Sequence, residues 1–571
     1  MPAGVQATTL GKGVRWDALF LLLLTAAALV LFLFPLFSAS LEAGFPLDDG
    51  WIHATYARGL VEHGEFAFNP GEPSTGTTSL LWTLLCAGVL LTGSSAAGTA
   101  LFLGAACLLI LVPVWHRVLL RTGCGRAGAL FGAALLPLSG VLLWWSLSGM
   151  ETVLFLLLAA LALDAFMRGK LVWSGSWLAL LVLARPEGVL LAPVLAFAEW
   201  RRSGSIGRTL LLLALAATGV AIYAAWNLAV SGALWTSTLA GRRWLAAGGR
   251  PPETGIQQFA LAFAEILYRW MRTLLWGALR WSTPGTWISA AAAGMVLLWS
   301  GGRRIFHLLK PRRKADTPSA SESGTAPSPT GTTPIRPVFA PALAAWLFLH
   351  TAAYALLLPY PGHAGRYLAP LLLGVSLLLA RLASSLPRAD GDLRIFPFLL
   401  RGILPRALLL AAVTVIGWSA LASWTCAWRS SVEHINTVHV RAARWISKHT
   451  PPDARIAAYD IGAIGYFSGR TVIDLGGLVQ PAAVPYMNGQ IDAYILRSRA
   501  DYVVMVIPYE GQDAEGYLPR ALGYGQSGLL TLRRAAAFGI PEKAYQRHIS
   551  ITGNAYPRIV IETAHKKLEK S

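Results

Sequence analysis

Charged and hydroxyl-bearing side chains crowd into residues 46–82, PLDDGWIHATYARGLVEHGEFAFNPGEPSTGTTSLLW, just after the first apolar run of the chain. Asp48 and Asp49 stand side by side within about ten residues of that run, and His53, Tyr56, Arg58, Glu62 and His63 follow at short intervals. Adjacent carboxylates raise one another's proton affinity or share a cation, which suits a general base or a metal ligand. Asp49 is equally well placed to cap a helix beginning near Trp51, and composition alone leaves the two readings evenly open. His53 and His63 with the acidic pair are candidate ligands for a divalent ion, although the spacing matches no metal signature. Metal use stays open, and no other cofactor is indicated.

Further candidates lie elsewhere in the chain. Arg242 and Arg243, in SGALWTSTLAGRRW, suit either an anionic group or lipid headgroups, since basic residues snorkel at interfaces. Arg366 opens an apolar segment on its outer side, against the positive-inside trend, which favours a functional reading. His363 precedes it. Glu151 begins another segment, where its carboxylate can meet a substrate or simply favour the helix dipole. Arg185 and Glu187 flank Pro186 at a tight turn and are read as a structural pair.

The elements that position these residues are membrane helices. Of 571 residues 55% are hydrophobic and 13% charged, so a bilayer rather than water must solvate most of the chain. The net charge of +19 sits mainly in short loops between apolar runs, which reports membrane orientation rather than nucleic-acid binding. Runs near 17–38, 97–116, 127–148, 151–168, 172–185, 187–200, 208–230, 283–300, 338–358, 366–385 and 406–427 predict about eleven crossings. The first is too long for a signal-peptide core and is expected to be retained. Residues 79–93 fall short of a span and are read as an interfacial or re-entrant helix. With that choice the basic loops 117–126, 168–170, 201–208, 303–314 and 381–406 all fall inside, with the N-terminus. Residues 38–78, 147–151, 231–283, 359–366 and everything after 428 then fall outside. Within them, 257–281 reads as an amphipathic helix on the outer interface. Residues 311–337, rich in Ser, Thr, Pro and Gly, predict a disordered cytoplasmic linker. None of the four cysteines falls after Trp428, and no disulfide framework is suggested.

The chain thus divides at 428/429 into a polytopic all-α membrane domain (1–428, first outer loop 39–96) and a soluble domain (429–571) outside the membrane. In the latter, 439–449 looks helical, and 455–459, 471–474, 502–507 and 558–561 look like strands, an α/β pattern. DIGAIGY is too sparse in glycine for a dinucleotide fingerprint.

Several of these stretches together resemble the GT-C superfamily, membrane glycosyltransferases that take a sugar from a polyprenyl-phosphate donor. The acidic pair, Tyr56-Ala57-Arg58, Asn69-Pro70-Gly71-Glu72 and Thr78-Ser79 before Trp82 look like its first extracytoplasmic loop. SGMET at 148–152, ARPEG at 184–188, GRYLAP at 365–370 and DIGAIGYFSGRTVIDLGGL at 460–478 extend the likeness over nearly the whole chain. It is similar in particular to bacterial arabinofuranosyl- and mannosyltransferases of the cell envelope, and more distantly to the lipid A aminoarabinose transferases. The resemblance implies a GT-C-like fold with juxtamembrane helices in the first loop, and a bacterial inner (cell) membrane location. It implies Asp48 as catalytic base, with Asp49 its neighbour of less certain role. It implies Arg58, Arg242, Arg243 and Arg366 as candidates for the donor phosphate, with Arg where relatives carry Lys in the fourth outer loop. His53, Tyr56, Glu151 and His363 are candidates for the acceptor side. The expected partners are a polyprenyl-phosphate-linked sugar and an envelope glycan, lipid or protein acceptor. Asp460, Tyr466 and Asp474 repeat the family pattern and are read as packing and turn residues. A lipid-linked glycan ligase or polymerase, and a lipid-linked-sugar transporter, are the alternatives. The acidic first loop argues against the first, and polar clusters at the membrane boundary rather than its midplane argue against the second.

Overall fold

The computed structural model describes residues 3–38, 41–236, 238–246, 256–279, 336–385, 404–507, 522, 524–527, 529–539 and 558–566. The expected span at 283–300 and most of the expected linker lie outside the described residues. Helix α1 (Ala3–Phe37) leads into a loop that holds α2 (Asp49–His63), the hairpin β1 (Ala67–Asn69) and β2 (Glu72–Pro73), and α3 (Leu80–Leu90). There follow α4 (Ala96–Arg121), α5 (Arg126–Leu138), α6 (Val141–Ser146), α7 (Thr152–Met167), α8 (Leu171–Ala184), α9 (Leu191–Ser203) and α10 (Ile206–Ser231). After these come α11 (Thr238–Ala246), α12 (Ile256–Leu279), α13 (Arg336–Leu357), α14 (Pro370–Ser384) and α15 (Leu404–His434).

Four described helices are long and apolar enough to cross a bilayer: Val14–Phe37, Ala96–Arg121, Ile206–Ser231 and Phe339–Leu357. Shorter apolar helices pack among them, and the chain is an integral membrane protein. α7 is apolar nearly all round and accordingly sits in the middle of the bundle, with all but one of its residues buried. α4 approaches α6 so closely that a Cβ on Gly104 would lie 1.7 Å from the Ser146 carbonyl oxygen. Such close approach of helix backbones is how membrane helices gain packing without a hydrophobic drive. α3, at 1.5 Å per residue, reaches about 17 Å and cannot span the ~30 Å of hydrocarbon. It is capped by Ser79, whose hydroxyl accepts from the Trp82 N–H, and packs on α2 and α4. The segment expected as one span at 127–148 is instead two helices, broken at Gly140, which takes φ +68° just after Pro137. α12 is helical as expected and packs on α13, α15 and the turn His363–Leu368.

One end of the bundle is tied by buried acids. Asp17 accepts from Arg126 (2.7 Å), Asp164 from Arg121 (2.9 Å) and Arg168 (3.0 Å), and Glu199 from Arg202 (2.5 Å) and Arg208 (2.6 Å). Each carboxylate is buried, while most of these guanidinium groups reach outward. Much of the basic charge in these loops is therefore structural glue.

α15 runs through the expected 428/429 junction and, after one π turn at Ile435–Val440, continues as α16 (Arg441–His449). A helical rod thus joins the membrane bundle to the soluble domain. That domain contains β3 (Arg455–Ala458), α17 (Gly462–Phe467), β4 (Thr471–Asp474), α18 (Ile491–Arg497), β5 (Tyr502–Ile507), β6 (Leu530–Gly539) and β7 (Arg558–Lys566). The sheet order is β4-β3-β5-β7-β6, with β3 parallel to both its neighbours and β7 antiparallel to both of its own. The first loop docks on the β4 edge: Asn69 donates to the Val472 carbonyl (2.9 Å) and accepts from the Val472 N–H (2.9 Å). One side chain satisfies both exposed backbone groups of an edge residue, as a further strand would.

Candidate active site between the first loop and the soluble domain

The turn His363–Leu368 carries Ala364 and Gly365 in the left-handed region (φ 52° and 72°). For alanine this conformation is strained. Trp145 holds it by donating Nε1–H to the Ala364 carbonyl (2.9 Å), and the Trp270 ring lies 2.8 Å from where a Cβ on Gly365 would sit. Arg366, its side chain 1% exposed, donates to Asp49 Oδ2 at 2.5 Å, while its Nε and Nη1 find no acceptor among the described residues. Arg242 on α11 lies 3.6 Å from the same Asp49 oxygen and donates to the Tyr367 hydroxyl. The guanidinium carbons of Arg185, Arg366 and Arg242 sit 5.1, 5.3 and 5.7 Å from the centre of the Tyr367 ring. Three cations around one aromatic ring make a strongly positive corner. Burial opposes ionisation of Asp49, but Arg366, Arg242 and His363 override it and hold its carboxyl well below the usual range. Burial, with Arg366 next, pushes the His363 imidazole down to about 4.

A buried network underlies this corner. Arg185 donates to Glu151 (3.0 Å), to Glu187 (2.6 Å) and to the Tyr354 hydroxyl (2.8 Å), and Tyr354 stacks on Tyr367 at 5.2 Å. His53 lies 3.4 Å from Glu151 through Nε2 and 2.8 Å from the Thr77 hydroxyl through Nδ1. Every charge here has a partner, so the network is a rigid base that orients Tyr367.

On the opposite side, the soluble domain closes against α2. Gly462 and Ala463 donate their N–H groups to the two carboxylate oxygens of Asp48 at 2.6 and 2.8 Å, so Asp48 caps α17. At the other end of α17, Arg58 donates to the Tyr466 carbonyl (2.7 Å) and stacks on the Tyr466 ring (4.3 Å). A negative group at the helix start and a positive one at its end complement the helix dipole twice over. Burial raises the Asp48 carboxyl to about 6; the nearby charge of Asp460 adds to this, and His439 and the two backbone donors oppose it. Asp460 accepts from His439 Nε2 at 3.0 Å with its side chain 31% exposed. His439 is buried, yet its hydrogen bond to Asp460 and the charge of Asp48 raise its proton affinity.

Comparison with solved structures covers nearly the entire chain. ArnT from Cupriavidus metallidurans bound to undecaprenyl phosphate matches over 95% of this chain and 98% of its own, at TM-score 0.52 and 12% identity. The fold is GT-C. The archaeal oligosaccharyltransferase AglB from Archaeoglobus fulgidus, in complex with an inhibitory peptide and a dolichol-phosphate, matches 89% of this chain and 72% of its own at 0.49 and 14%. The arabinofuranosyltransferase AftD from Mycobacteria matches 96% of this chain and 41% of its own at 0.45 and 17%. Residues 429–554 match a family described as a domain of unknown function (DUF8728), so the match lies wholly in the soluble domain. No curated protein matches.

Within this fold, Asp49, Arg242, Arg366 and His363 come together as one cluster, Asp48 turns from its neighbour toward α17, and Arg243 lies on the same helix as Arg242. Other expectations change. Arg58 is engaged with α17 rather than with the cationic corner. Tyr56 is fully buried and bonds Ser74 (2.7 Å) and the Gly76 N–H (2.9 Å), which makes it a loop brace. His53 and Glu151 face each other inside the buried network rather than the open cluster. His63 sits at the far end of α2 beside Glu62, so the four expected metal ligands are not assembled, and no group of three or more His, Cys, Asp or Glu among the described residues is arranged for a metal. Arg185 and Glu187 pair as expected. Asp474 is a turn residue as expected, bound by the N–H groups of Gly476, Val479 and Gln480. Asp460 lies in the bend after β3, a turn position as expected, where it accepts from His439 and keeps part of its side chain open. His439 and Tyr367 went unnoticed in the sequence; for Tyr367 the signal was present, an aromatic directly after the out-of-place Arg366 in GRYLAP.

Proposed function

We propose that this protein is a glycosyltransferase that moves a sugar from a polyprenyl-phosphate donor to a hydroxyl of a cell-envelope acceptor on the outer face of a bacterial inner membrane. The observation that carries this reading is the cationic corner, with two donors of buried Arg366 lacking acceptors among the described residues, beside partly exposed Arg242. A lipid phosphate seated there would accept from both guanidinium groups, and their charge would stabilise the phosphate as it departs. Support for the donor class comes from the GT-C fold shared with a protein solved bound to undecaprenyl phosphate. Asp48 is the proposed base. The acceptor oxygen attacks the anomeric carbon, the bond from that carbon to the phosphate oxygen breaks with its electron pair leaving on phosphate, and Asp48 takes the hydroxyl proton. Asp49 stays ionised and holds the two arginines in place. Among the described residues no group of three or more His, Cys, Asp or Glu is arranged for a metal, and the roles above are those of side chains alone.

The test is glycan and lipid profiling of cells whose own gene is replaced by wild type, Asp48→Asn or Arg366→Gln, at matched protein levels. Loss of one sugar from an envelope glycan, with accumulation of a polyprenyl-phosphate sugar, is the expected result for both variants. Unchanged glycans in Asp48→Asn would remove Asp48 as the base, and unchanged glycans in both would sink the transferase reading.

A further inference from the structure

We propose that the soluble domain completes the active site. Asp460, positioned by His439, is the carboxylate that accepts a hydrogen bond from a hydroxyl beside the attacking one on a polyhydroxylated acceptor, while Asp48 receives the proton of the attacking hydroxyl. This rests on the transferase reading above and extends it to a domain that matches only a family of unknown function.

Topology supports the assignment first. β3 lies between β4 and β5 and is parallel to both, and the chain passes from β3 to β4 on one side and then to β5 on the other. In open α/β sheets the crevice beyond the carboxyl ends of such strands, where the order reverses, is where ligands bind. Asp460 lies two residues past the end of β3, in that crevice. The crevice opens onto α2 of the membrane domain, because Asp48 bonds the two residues that follow Ile461.

The chemistry of the side chain points the same way. Asp474, at the end of β4, is consumed by backbone N–H groups and is fully buried. Asp460, by contrast, has its one described hydrogen bond to His439 and keeps about a third of its side chain open. Asp48 from the first loop, His363 from the kinked turn and His439 from the soluble domain lie close enough to act on it, and His363 in turn faces Arg366, Asp49 and Arg242. A carboxylate there accepts a hydrogen bond from a hydroxyl beside the attacking one, and its charge raises the proton affinity of Asp48. In the transfer step the proton of the attacking hydroxyl goes to Asp48, the new bond forms at the anomeric carbon, and the phosphate takes the electron pair.

Cells lacking the gene accumulate both the donor and the unmodified acceptor on this reading, so their washed membranes supply both substrates whatever the sugar is. Adding the purified full-length protein, intact or as Asp460→Asn, Asp460→Glu or His439→Gln, gives rates against acceptor amount and pH. Binding of undecaprenyl phosphate to each protein in nanodiscs is measured in parallel. For Asp460→Asn the expected result is an acceptor KM raised about tenfold or more, an acidic limb displaced to lower pH, and undisturbed undecaprenyl phosphate binding. Asp460→Glu should recover part of the rate, and His439→Gln should weaken the acceptor in the same direction. An unmoved KM and acidic limb in a folded Asp460→Asn protein would overturn the assignment. Failure of the wild type itself to bind undecaprenyl phosphate would overturn instead the transferase reading beneath it.

Discussion

Replacing Gly462 by alanine tests whether docking of the soluble domain builds the site. A Cβ at this position would lie 2.0 Å from the Asp48 carbonyl oxygen and 2.8 Å from its Oδ2. The obstacle is partly backbone, so no rotamer relieves it, and α2 and α17 must separate by more than an ångström. That movement breaks the bonds from Gly462 (2.6 Å) and Ala463 (2.8 Å) to Asp48. Bonds to a charged acceptor contribute about 1.5–3 kcal/mol each. Water regains part of this in the separated state, which leaves a loss of about 3 kcal/mol, or roughly a hundredfold in the docking equilibrium. Hydrogen exchange on the reconstituted full-length protein should show faster exchange at Gly462 and Ala463, with protection of β5 and β7 retained because the sheet does not depend on this contact. Gly88→Ala, in α3, where an added methyl meets nothing within 4 Å, is the matched control. Wild-type protection at Gly462 and Ala463 together with wild-type transfer activity in Gly462→Ala would refute the coupling of docking to the site.

Transfer should fall as pH drops through about 6, because Asp48 must be ionised to act as base and its carboxyl is raised to that value. Stability should move the other way: a carboxyl raised in the folded state binds more protons folded than unfolded between about 4 and 6, so its contribution grows on acidification and is lost as pH rises through 6. The raised His439 has the same sign, while the lowered His363 has the opposite one below about 6.5, so the melting temperature of the wild type relative to Asp48→Asn, rather than its absolute value, should rise from pH 7.5 to 5.5 while activity falls. Arg185→Met should cost about 3–5 kcal/mol, read as a lower melting temperature, because it strands Glu151 and Glu187 in a buried network. Asn69→Ala should accelerate amide exchange at Val472 and cost about 1–3 kcal/mol, since it strips both backbone groups of that edge residue of their partner.

What the sequence made legible depended on whether the signal was local. The acidic pair, the shortness of α3 and the odd placement of Arg366 are all properties of a few neighbouring residues, and in the structure α3 is a short helix and Asp49 meets Arg366. The partners of those residues were not legible, because Asp49 meets Arg366 across 317 positions and Asp48 meets Gly462 across 414. Arg58 shows the limit clearly: its charge suggested phosphate, while its reach from α2 takes it to α17. The same limit hid the neighbours of Asp460: its motif reads as a turn, and only the fold sets that turn beside His439 and near Asp48. β6 was missed for a different reason. Its sequence, LTLRRAAAFG, is poor in β-branched residues, and it forms by pairing with β7 along nine registered positions, which is tertiary context overriding weak propensity.

The two adjacent carboxylates also show how one dipeptide can hold two roles. Asp49 and Asp48 are identical in chemistry and neighbours in sequence, yet the backbone sends one toward two guanidinium groups and the other toward the start of α17. The first stays ionised under all ordinary conditions, which makes it a poor base and a good anchor for the arginines. The second, buried beside another carboxylate, is pushed up to about 6, where an ionised group is still available at neutral pH and has useful proton affinity. Divergent environments of paired titratable groups are what separates a base from its neighbour. The residues that create the divergence come from α11, the kinked turn and the soluble domain. On the transferase reading, the acidity of the first loop is therefore set by every layer of the protein that closes over it, and changes in any of these layers should appear in the pH profile before they appear in the fold.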